Sequence, residues 1–186
     1  MYVAHVVRFR VLSCGLLLLV VLVFAPRANA FERQWHAGVD AGYAGISWDG
    51  AFRSGFGGGV HGAYGLTDAF NLMLEVGGSM HSVCEGCSSL SVLHGGAGVG
   101  YTLDILRWVP YMGLLVGGYR FGGVTMPEAR QDAQFKVGLQ GALGMDFRPS
   151  RSWAVGVQLR YHTMLDDPLE VHYMTMFGRF ELLWGW

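Results

Sequence analysis

The sequence predicts an all-β protein: an eight-stranded, antiparallel, transmembrane, up-and-down β-barrel. Three observations support this fold class. Apolar residues recur at every second position in eight segments, which is the period of a strand and not of a helix. The opposite face of these segments is mainly glycine and alanine with a few charges. The links between the segments alternate between short and long.

Residues 1–30 are expected to be a secretory signal peptide that is removed after cleavage. Arg8 and Arg10 precede an uncharged run over residues 11–25, and Ala28 and Ala30 then form a small-x-small cleavage site. A retained transmembrane helix is the alternative, but the run is shorter than the ~18 residues that a spanning helix needs.

Residues 31–186 are expected to form a single barrel domain. They keep ten of the thirteen basic residues and all fourteen acidic ones, so their net charge is about −4 with His neutral. This balance argues against a nucleic-acid-binding protein. The most apolar stretch, residues 97–119, is interrupted by Asp104 and Arg107. A membrane would therefore be crossed by strands.

The first four predicted strands cover residues 34–45, 55–66, 70–79 and 91–104. Each places large apolar residues on one face and small or polar residues on the other. The large residues expected to face outward are Trp35, Val39, Tyr43, Phe56, Val60, Tyr64, Leu66, Phe70, Leu72, Leu74, Val76, Leu93, Val99, Tyr101 and Leu103.

The fifth predicted strand, residues 110–121, is apolar on both faces in its first half, so its facing is ambiguous. Tyr111, Leu115 and Tyr119 are placed outward as an expectation. The sixth, seventh and eighth strands, over residues 135–147, 153–162 and 172–186, alternate clearly. Their outward residues are Phe135, Val137, Leu139, Leu143, Met145, Phe147, Trp153, Val155, Val157, Leu159, Tyr161, Met174, Met176, Phe180, Leu182, Trp184 and Trp186.

The links provide a second, independent indication of a membrane barrel. Such barrels have short turns on one side and longer loops on the other. The long links follow the odd-numbered strands, which places both termini on the side of the short turns. The short links are near residues 67–68, 105–109 and 148–152, and the long ones are 46–54, 80–90, 122–134 and 165–170.

A soluble barrel of the lipocalin type is the alternative, because it has the same period with its polar residues outside. Its outer face would be rich in Lys and Glu, whereas the face opposite the apolar residues is mostly glycine and alanine. Small residues fit the crowded interior of an eight-stranded barrel. Aromatic residues near the strand ends match the girdles at membrane interfaces.

The end of the eighth strand carries apolar residues at every second position up to a terminal aromatic: Phe180, Leu182, Trp184 and Trp186. This pattern resembles the C-terminal assembly signal of bacterial outer-membrane β-barrels, among them the small, porin-like OmpA, OmpX and OmpW types. The resemblance implies a Gram-negative outer membrane, contact with its lipid, and recognition by periplasmic chaperones and the barrel-assembly machinery. It implies no cofactor.

Seven charged residues fall on the predicted inner face and are expected to form an ion-pair network that plugs the lumen. Buried charges are costly unless they are paired. Because strand eight neighbours strands one and seven in a closed barrel, we expect Asp40 to pair with Arg179, and Arg160 with Glu181. A narrow pore that uses these charges for selectivity is the alternative. The seven residues are Asp40, Glu75, Lys136, Asp146, Arg160, Arg179 and Glu181.

Four histidines, His36, His61, His94 and His162, also fall on the inner face, where polar filling is expected and no metal site is assigned. Some barrels of this kind are lipid A deacylases with a His and a Ser near the outer end of a strand. Here Thr163 or Met164 stands at the place of the serine, and His162 points inward. The protein is therefore not expected to be an enzyme.

Cys84 and Cys87 lie in the second long link, and in an exported protein they are candidates for a local disulfide. The function favoured by the sequence is a structural or surface-interaction role with a mostly plugged polar lumen. A narrow channel for small solutes, including apolar ones, is the alternative, with Met112, Leu114 and Val116 as its lining. A lipid A-modifying enzyme ranks below both.

Overall fold

A computed structural model describes residues 32–48, 50–82, 89–104, 107–122, 124–125, 130–166 and 171–185. The predicted signal peptide (1–30), Cys84, Cys87 and Trp186 lie outside these described residues. Within the described ranges, no helix has the length and apolar character needed to cross a membrane.

Eight long strands, numbered β1 to β8 in chain order, close into a barrel. Each strand pairs antiparallel with the next, and β1 pairs with β8. The predicted eight-stranded antiparallel up-and-down barrel is confirmed. The strands are β1 Trp35–Trp48, β2 Ala51–Gly65, β3 Phe70–His81, β4 Leu90–Thr102, β5 Trp108–Phe121, β6 Gln134–Phe147, β7 Trp153–Met164 and β8 His172–Trp184. Two-residue strands at Val124–Thr125 and Arg130–Gln131 form a small hairpin between β5 and β6.

The two ends of the barrel are built differently. The terminal end, where β1 begins and β8 ends, carries links 66–69, 103–107 and 148–152. The far end carries links 49–50, 82–89, 122–133 and 165–171. The prediction that 46–54 forms a long link is wrong, because β1 and β2 stay paired up to Trp48 and Ala51. Gly50, with φ of 70°, supplies the left-handed conformation that this two-residue turn requires.

The faces of seven strands agree with the prediction. On the outside, Val39, Leu74 and Val157 are 55, 55 and 56% exposed, although they are large and apolar. On the inside, Asp40 and Gln158 are 5 and 2% exposed. An exposed apolar wall that continues around the barrel requires hydrocarbon around it, since water would make it an aggregation surface.

The expected facing of the fifth strand, β5, is wrong. Tyr111, Leu115 and Tyr119 are buried in the lumen at 8, 2 and 1% exposure, whereas Met112, Leu114 and Val116 face outward at 52, 60 and 52%. The neighbouring strands make room for the large inner residues. Gly144 pairs with Tyr111 and Gly98 with Leu115, and a Cβ atom on Gly144 would overlap the Tyr111 ring. Glycines on the adjacent strands therefore determine the facing of β5.

Candidate functional site: the filled lumen

Six of the seven predicted lumen charges meet in the middle of the barrel. Arg160 Nη2 lies 2.9 Å from Glu75 Oε2 and 3.4 Å from Asp40 Oδ2. Arg179 Nε lies 3.4 Å from Asp146 Oδ1, and Arg179 Nη2 contacts Glu181 Oε1. All six side chains belong to residues that are at most 8% exposed. The barrel thus holds two arginines and four carboxylates away from water.

The predicted partners within this group are wrong. Asp40 and Arg179 do face each other in the register of β1 and β8, yet Arg179 contacts Glu181 and Asp146 instead. Arg160 contacts Asp40 and Glu75 rather than Glu181. Arg160 on β7 reaches across the lumen to carboxylates of β1 and β3. Arg179 on β8 contacts Asp146 on β6 and Glu181 two residues further along its own strand. The lumen's geometry, rather than strand adjacency, determines the pairs.

Lys136 stands apart from the other six predicted charges in its position. It is half-buried near the start of β6, where its register partner is Tyr119 on β5. Tyr119 belongs to the apolar far end of the lumen and not to the ionic layer. Lys136 therefore lies near the rim of the barrel.

Histidine and polar side chains connect the two arginine groups. His61 Nδ1 lies 3.0 Å from Asp40 Oδ2, and His61 Nε2 lies 3.1 Å from Glu181 Oε1. His36 Nδ1 lies 3.5 Å from the other oxygen of Glu181. Gln158 Nε2 donates to Asp40 Oδ2 at 3.0 Å and its Oε1 accepts from the Tyr111 hydroxyl at 3.1 Å.

Tyr111 is the main member of this network that the sequence missed. It was expected to face outward, yet its ring lies under the Arg179 guanidinium, 4.7 Å from the Arg179 Cζ, and its hydroxyl contacts the same side chain. The available signal was Gly144, the small residue that faces it in β6. A large residue paired with a glycine on a predicted inner face indicates a side chain that fills the lumen.

Histidine and tyrosine side chains continue this network toward the far end. His94 Nε2 is 3.7 Å from Glu75 Oε1, and the His94 ring lies 5.2 Å from the ring of His162. The Tyr119 hydroxyl lies 2.9 Å from His162 Nδ1. All four predicted histidines therefore line the lumen. Among the residues that the structure describes, no group of three or more His, Cys, Asp or Glu side chains is arranged to hold a metal ion.

A cluster of buried, mostly apolar residues, called the apolar cap, lies at the far end of the lumen. Its members are at most 5% exposed, and they come from β1, β4, β5, β7, β8 and the residue before β8. The hydroxyl of Tyr173, a member of this cap, donates to Ser79 Oγ at 2.9 Å, and Ser79 Oγ lies 2.8 Å from His81 Nε2. The cap consists of Ala44, Ile46, Leu90, Val92, Tyr119, Phe121, Met164, Val171 and Tyr173.

The position considered for lipid A chemistry is buried. His162 is 0% exposed and its Nδ1 faces the Tyr119 hydroxyl, while Met164 belongs to the cap. A base held in the lumen cannot reach a lipid outside the barrel wall.

Of the predicted assembly signal, Phe180, Leu182 and Trp184 face outward at 41, 52 and 47% exposure.

Comparison with solved structures finds the same fold in bacterial outer-membrane proteins. Neisserial surface protein A (NspA) aligns with a TM-score of 0.66 at 15% identity, over 80% of this chain and 96% of NspA. Ail, the attachment invasion locus protein of Yersinia pestis, aligns with a TM-score of 0.61 at 12% identity, over 82 and 99%. The outer membrane enzyme PagL aligns with a TM-score of 0.50 at 14% identity, over 77 and 97%.

These identities support the fold alone, and the fold is compatible with both catalytic and non-catalytic proteins. No curated protein matches the chain. A family model, described as the outer membrane protein beta-barrel domain, matches residues 14–176. The chain therefore belongs to the outer membrane protein β-barrel family, whose members lie in the bacterial outer membrane.

Proposed function

We propose that this protein is a closed-lumen outer-membrane barrel that acts through the surface it presents and not through transport or catalysis. The observation that carries this proposal is the filling of the lumen by two successive layers, the ionic network and the apolar cap. A conducting path would have to displace both layers. Breaking a buried ion pair costs about 3–5 kcal/mol when one charge is left without its partner.

Single-channel recording in planar bilayers tests the closed lumen. The folded protein is expected to give no discrete openings under conditions in which a general porin conducts. The matched pair is Tyr173→Ala, which thins the cap, and Met176→Ala, which changes the lipid-facing side of the same strand. Both variants should remain silent, because the ionic layer still fills the lumen below the cap. Discrete openings from the unmodified protein would overturn the proposal.

A channel for apolar solutes has less support. Its expected lining, Met112, Leu114 and Val116, faces lipid and not the lumen. The apolar groove that does involve Met112 and Leu114 lies on the outer wall over Gly141, with a volume of about 460 Å³. A groove on the outer wall is in contact with acyl chains and does not open a path across the barrel.

The surface role is supported by the difference between the two ends of the barrel. Family barrels expose their longer loops to the outside, and here three of the four far-end links are longer than any turn at the terminal end. By their names, NspA is a surface protein and Ail is the attachment invasion locus protein of Yersinia pestis.

Epitope tagging on intact cells tests this orientation. A tag inserted into link 82–89 is expected to bind antibody without permeabilisation. The same tag in link 148–152, at the opposite end, is expected to bind only after the outer membrane has been opened. The reverse result would place the termini outside and contradict the proposal.

The absence of lipid A chemistry is part of the same proposal. Cells that produce the protein should contain lipid A of unchanged mass compared with cells that produce the His162→Ala variant. A loss of one acyl chain that depends on His162 would instead assign an enzyme activity to the barrel.

Assembly by the barrel-assembly machinery and periplasmic chaperones is proposed from Phe180, Leu182, Trp184 and Trp186. Trp184→Ser combined with Trp186→Ser should reduce the folded fraction in cells, measured by heat-dependent migration on a gel. The purified variant should still refold in detergent. If the unmodified protein and the double variant assembled equally well in cells, these residues would not act as an assembly signal.

A further inference from the structure

Exposed tryptophan and arginine residues are unevenly distributed over the outer surface of the terminal end. Trp35, Trp108, Trp153 and Trp184 are 51, 57, 36 and 47% exposed there. Three exposed arginines accompany them: Arg33 two residues before Trp35, Arg107 directly before Trp108, and Arg151 two residues before Trp153. These four tryptophans and three arginines are called the Trp–Arg arc.

Backbone contacts show that the arc is continuous around one side of the rim. The Arg148 amide donates to the Arg107 carbonyl at 2.8 Å, which joins the turn before β5 to the turn after β6. The Leu183 amide donates to the Ser152 carbonyl at 2.9 Å, which joins that turn to the end of β8. Trp184 in turn pairs with Trp35 at the start of β1. The arc therefore follows β5, β6, β7, β8 and β1 without a gap.

The other side of the same rim has a different composition. The chain contains no Lys or Arg between Arg53 and Arg107, and no Trp between Trp48 and Trp108. The rim of β2, β3 and β4 carries Tyr64, Phe70 and Tyr101 as its aromatics and Asp68 in its turn. An ordinary aromatic girdle would surround the barrel evenly, whereas the cations and tryptophans are confined to one side.

Arg148 is set apart from the three exposed arginines. Arg148 is half-buried at the same rim as Asp104. Burial raises the pKa of Asp104, and the positive charge of Arg148 partly offsets that rise. The charge of Arg148 thus interacts with a carboxylate of the protein itself. Arg33, Arg107 and Arg151 are exposed on the segments that precede β1, β5 and β7, where an external anion can reach them.

We propose that the Trp–Arg arc binds anionic phospholipids in the leaflet at the terminal end. A guanidinium group recognises a phosphate through paired hydrogen bonds, and tryptophan rings settle at the depth of the headgroups. The acyl chains of the same lipids lie on the apolar wall that continues from Trp35 to Val39 and from Trp108 to Met112. Continuity with this wall selects a lipid over a soluble anion.

Tryptophan quenching by brominated lipid tests the arc. Folded protein purified from membranes is placed in phosphatidylcholine vesicles that contain a small, equal fraction of brominated phosphatidylglycerol or brominated phosphatidylcholine. We expect quenching that corresponds to an enrichment of phosphatidylglycerol by about fivefold, the effect of roughly one basic residue at an anionic surface.

The variant Arg33→Gln/Arg107→Gln/Arg151→Gln should bring the enrichment close to unity. Its matched control removes three cations near the far end, Arg53→Gln/Arg120→Gln/Lys136→Gln, and should retain most of the enrichment. Heat-dependent gel migration verifies that each variant is folded, and the single variants replace the triple if it is not. Equal quenching by both lipids in the unmodified protein, or the same loss in both triple variants, would overturn the proposal.

Discussion

At the residue scale, the buried charges are arranged so that each arginine faces two carboxylates. Arg179 lies against Glu181 and Asp146, and Arg160 against Glu75 and Asp40. Sequence alternation could predict that these charges are inside, because parity alone decides the facing of a strand residue. It places Arg179 and Glu181 together, two residues apart on one face, but it could not predict the pairs between strands, since these depend on how far each side chain reaches across the lumen.

The pairing of Arg179 with Glu181 predicts a strong energetic coupling. Glu181→Ala should lower the free energy of unfolding by about 3 kcal/mol or more, because Arg179 would remain buried without this partner. Arg179→Ala should have a similar effect. The double variant should cost less than the sum, with a coupling of about 1 kcal/mol or more.

Urea unfolding of the detergent-solubilised barrel measures these differences, and Glu181→Gln provides a milder change if Glu181→Ala does not fold. Glu32→Ala, at an exposed position before β1, serves as the control and should leave stability unchanged. Additive effects of the two single variants would show that Arg179 and Glu181 act independently.

Two glycines of β6 provide a second test at the residue scale. Gly144 faces the lumen, where a Cβ atom would overlap the Tyr111 ring, whereas Gly141 faces lipid and has no atom within 4 Å of that position. Gly144→Ala should therefore destabilise the barrel by about 1–3 kcal/mol through overpacking. Gly141→Ala should be nearly neutral in the same unfolding experiment. Equal effects would mean that the Tyr111 site is not tightly packed.

At the element scale, β5 is the strand whose facing cannot be predicted from the alternation of apolar and polar residues. Its first half is apolar at every position, so alternation carries no information about its facing. The glycines of β4 and β6 carry that information instead, because the residues that face Leu115 and Tyr111 are Gly98 and Gly144. Alternation also does not mark the paired ends of β1 and β2, so it does not predict the two-residue turn at 49–50.

The facing of β5 can be tested with a charge placed on the lipid side. Leu114→Arg puts a cation near the middle of the wall and should cost about 2–4 kcal/mol of folding free energy. Leu66→Arg, at the terminal end, should cost only about 0–1 kcal/mol, because a cation near the interface reaches water. Urea unfolding in vesicles compares the two variants. If Leu114→Arg were tolerated as well as Leu66→Arg, residue 114 would not lie in hydrocarbon.

At the scale of the whole molecule, the barrel reverses the usual arrangement of a soluble protein. Charged and polar side chains occupy the interior, while residues such as Val76, Leu114 and Phe135 are 56, 60 and 70% exposed on the outside. Composition and alternation were sufficient to predict this arrangement, because a soluble barrel would have needed a charged outer face.

Removal of detergent tests the whole arrangement. The purified protein should precipitate or form large assemblies when detergent falls below its micellar concentration, because the apolar wall would then meet water. Sedimentation measures the outcome, and a monomer that stays in solution would show that the wall is covered in some other way.

The seam between β1 and β8 joins residues that are far apart along the chain, with Trp35 opposite Trp184 and Ser47 opposite His172. Until β8 is in place, β1 and β7 each present a row of unsatisfied amide and carbonyl groups that another chain could bond. A polypeptide interrupted before residue 172 would therefore form a seven-stranded sheet with two unpaired edge strands. Cells that accumulate such fragments would need to degrade them before the edges of different fragments pair and aggregate.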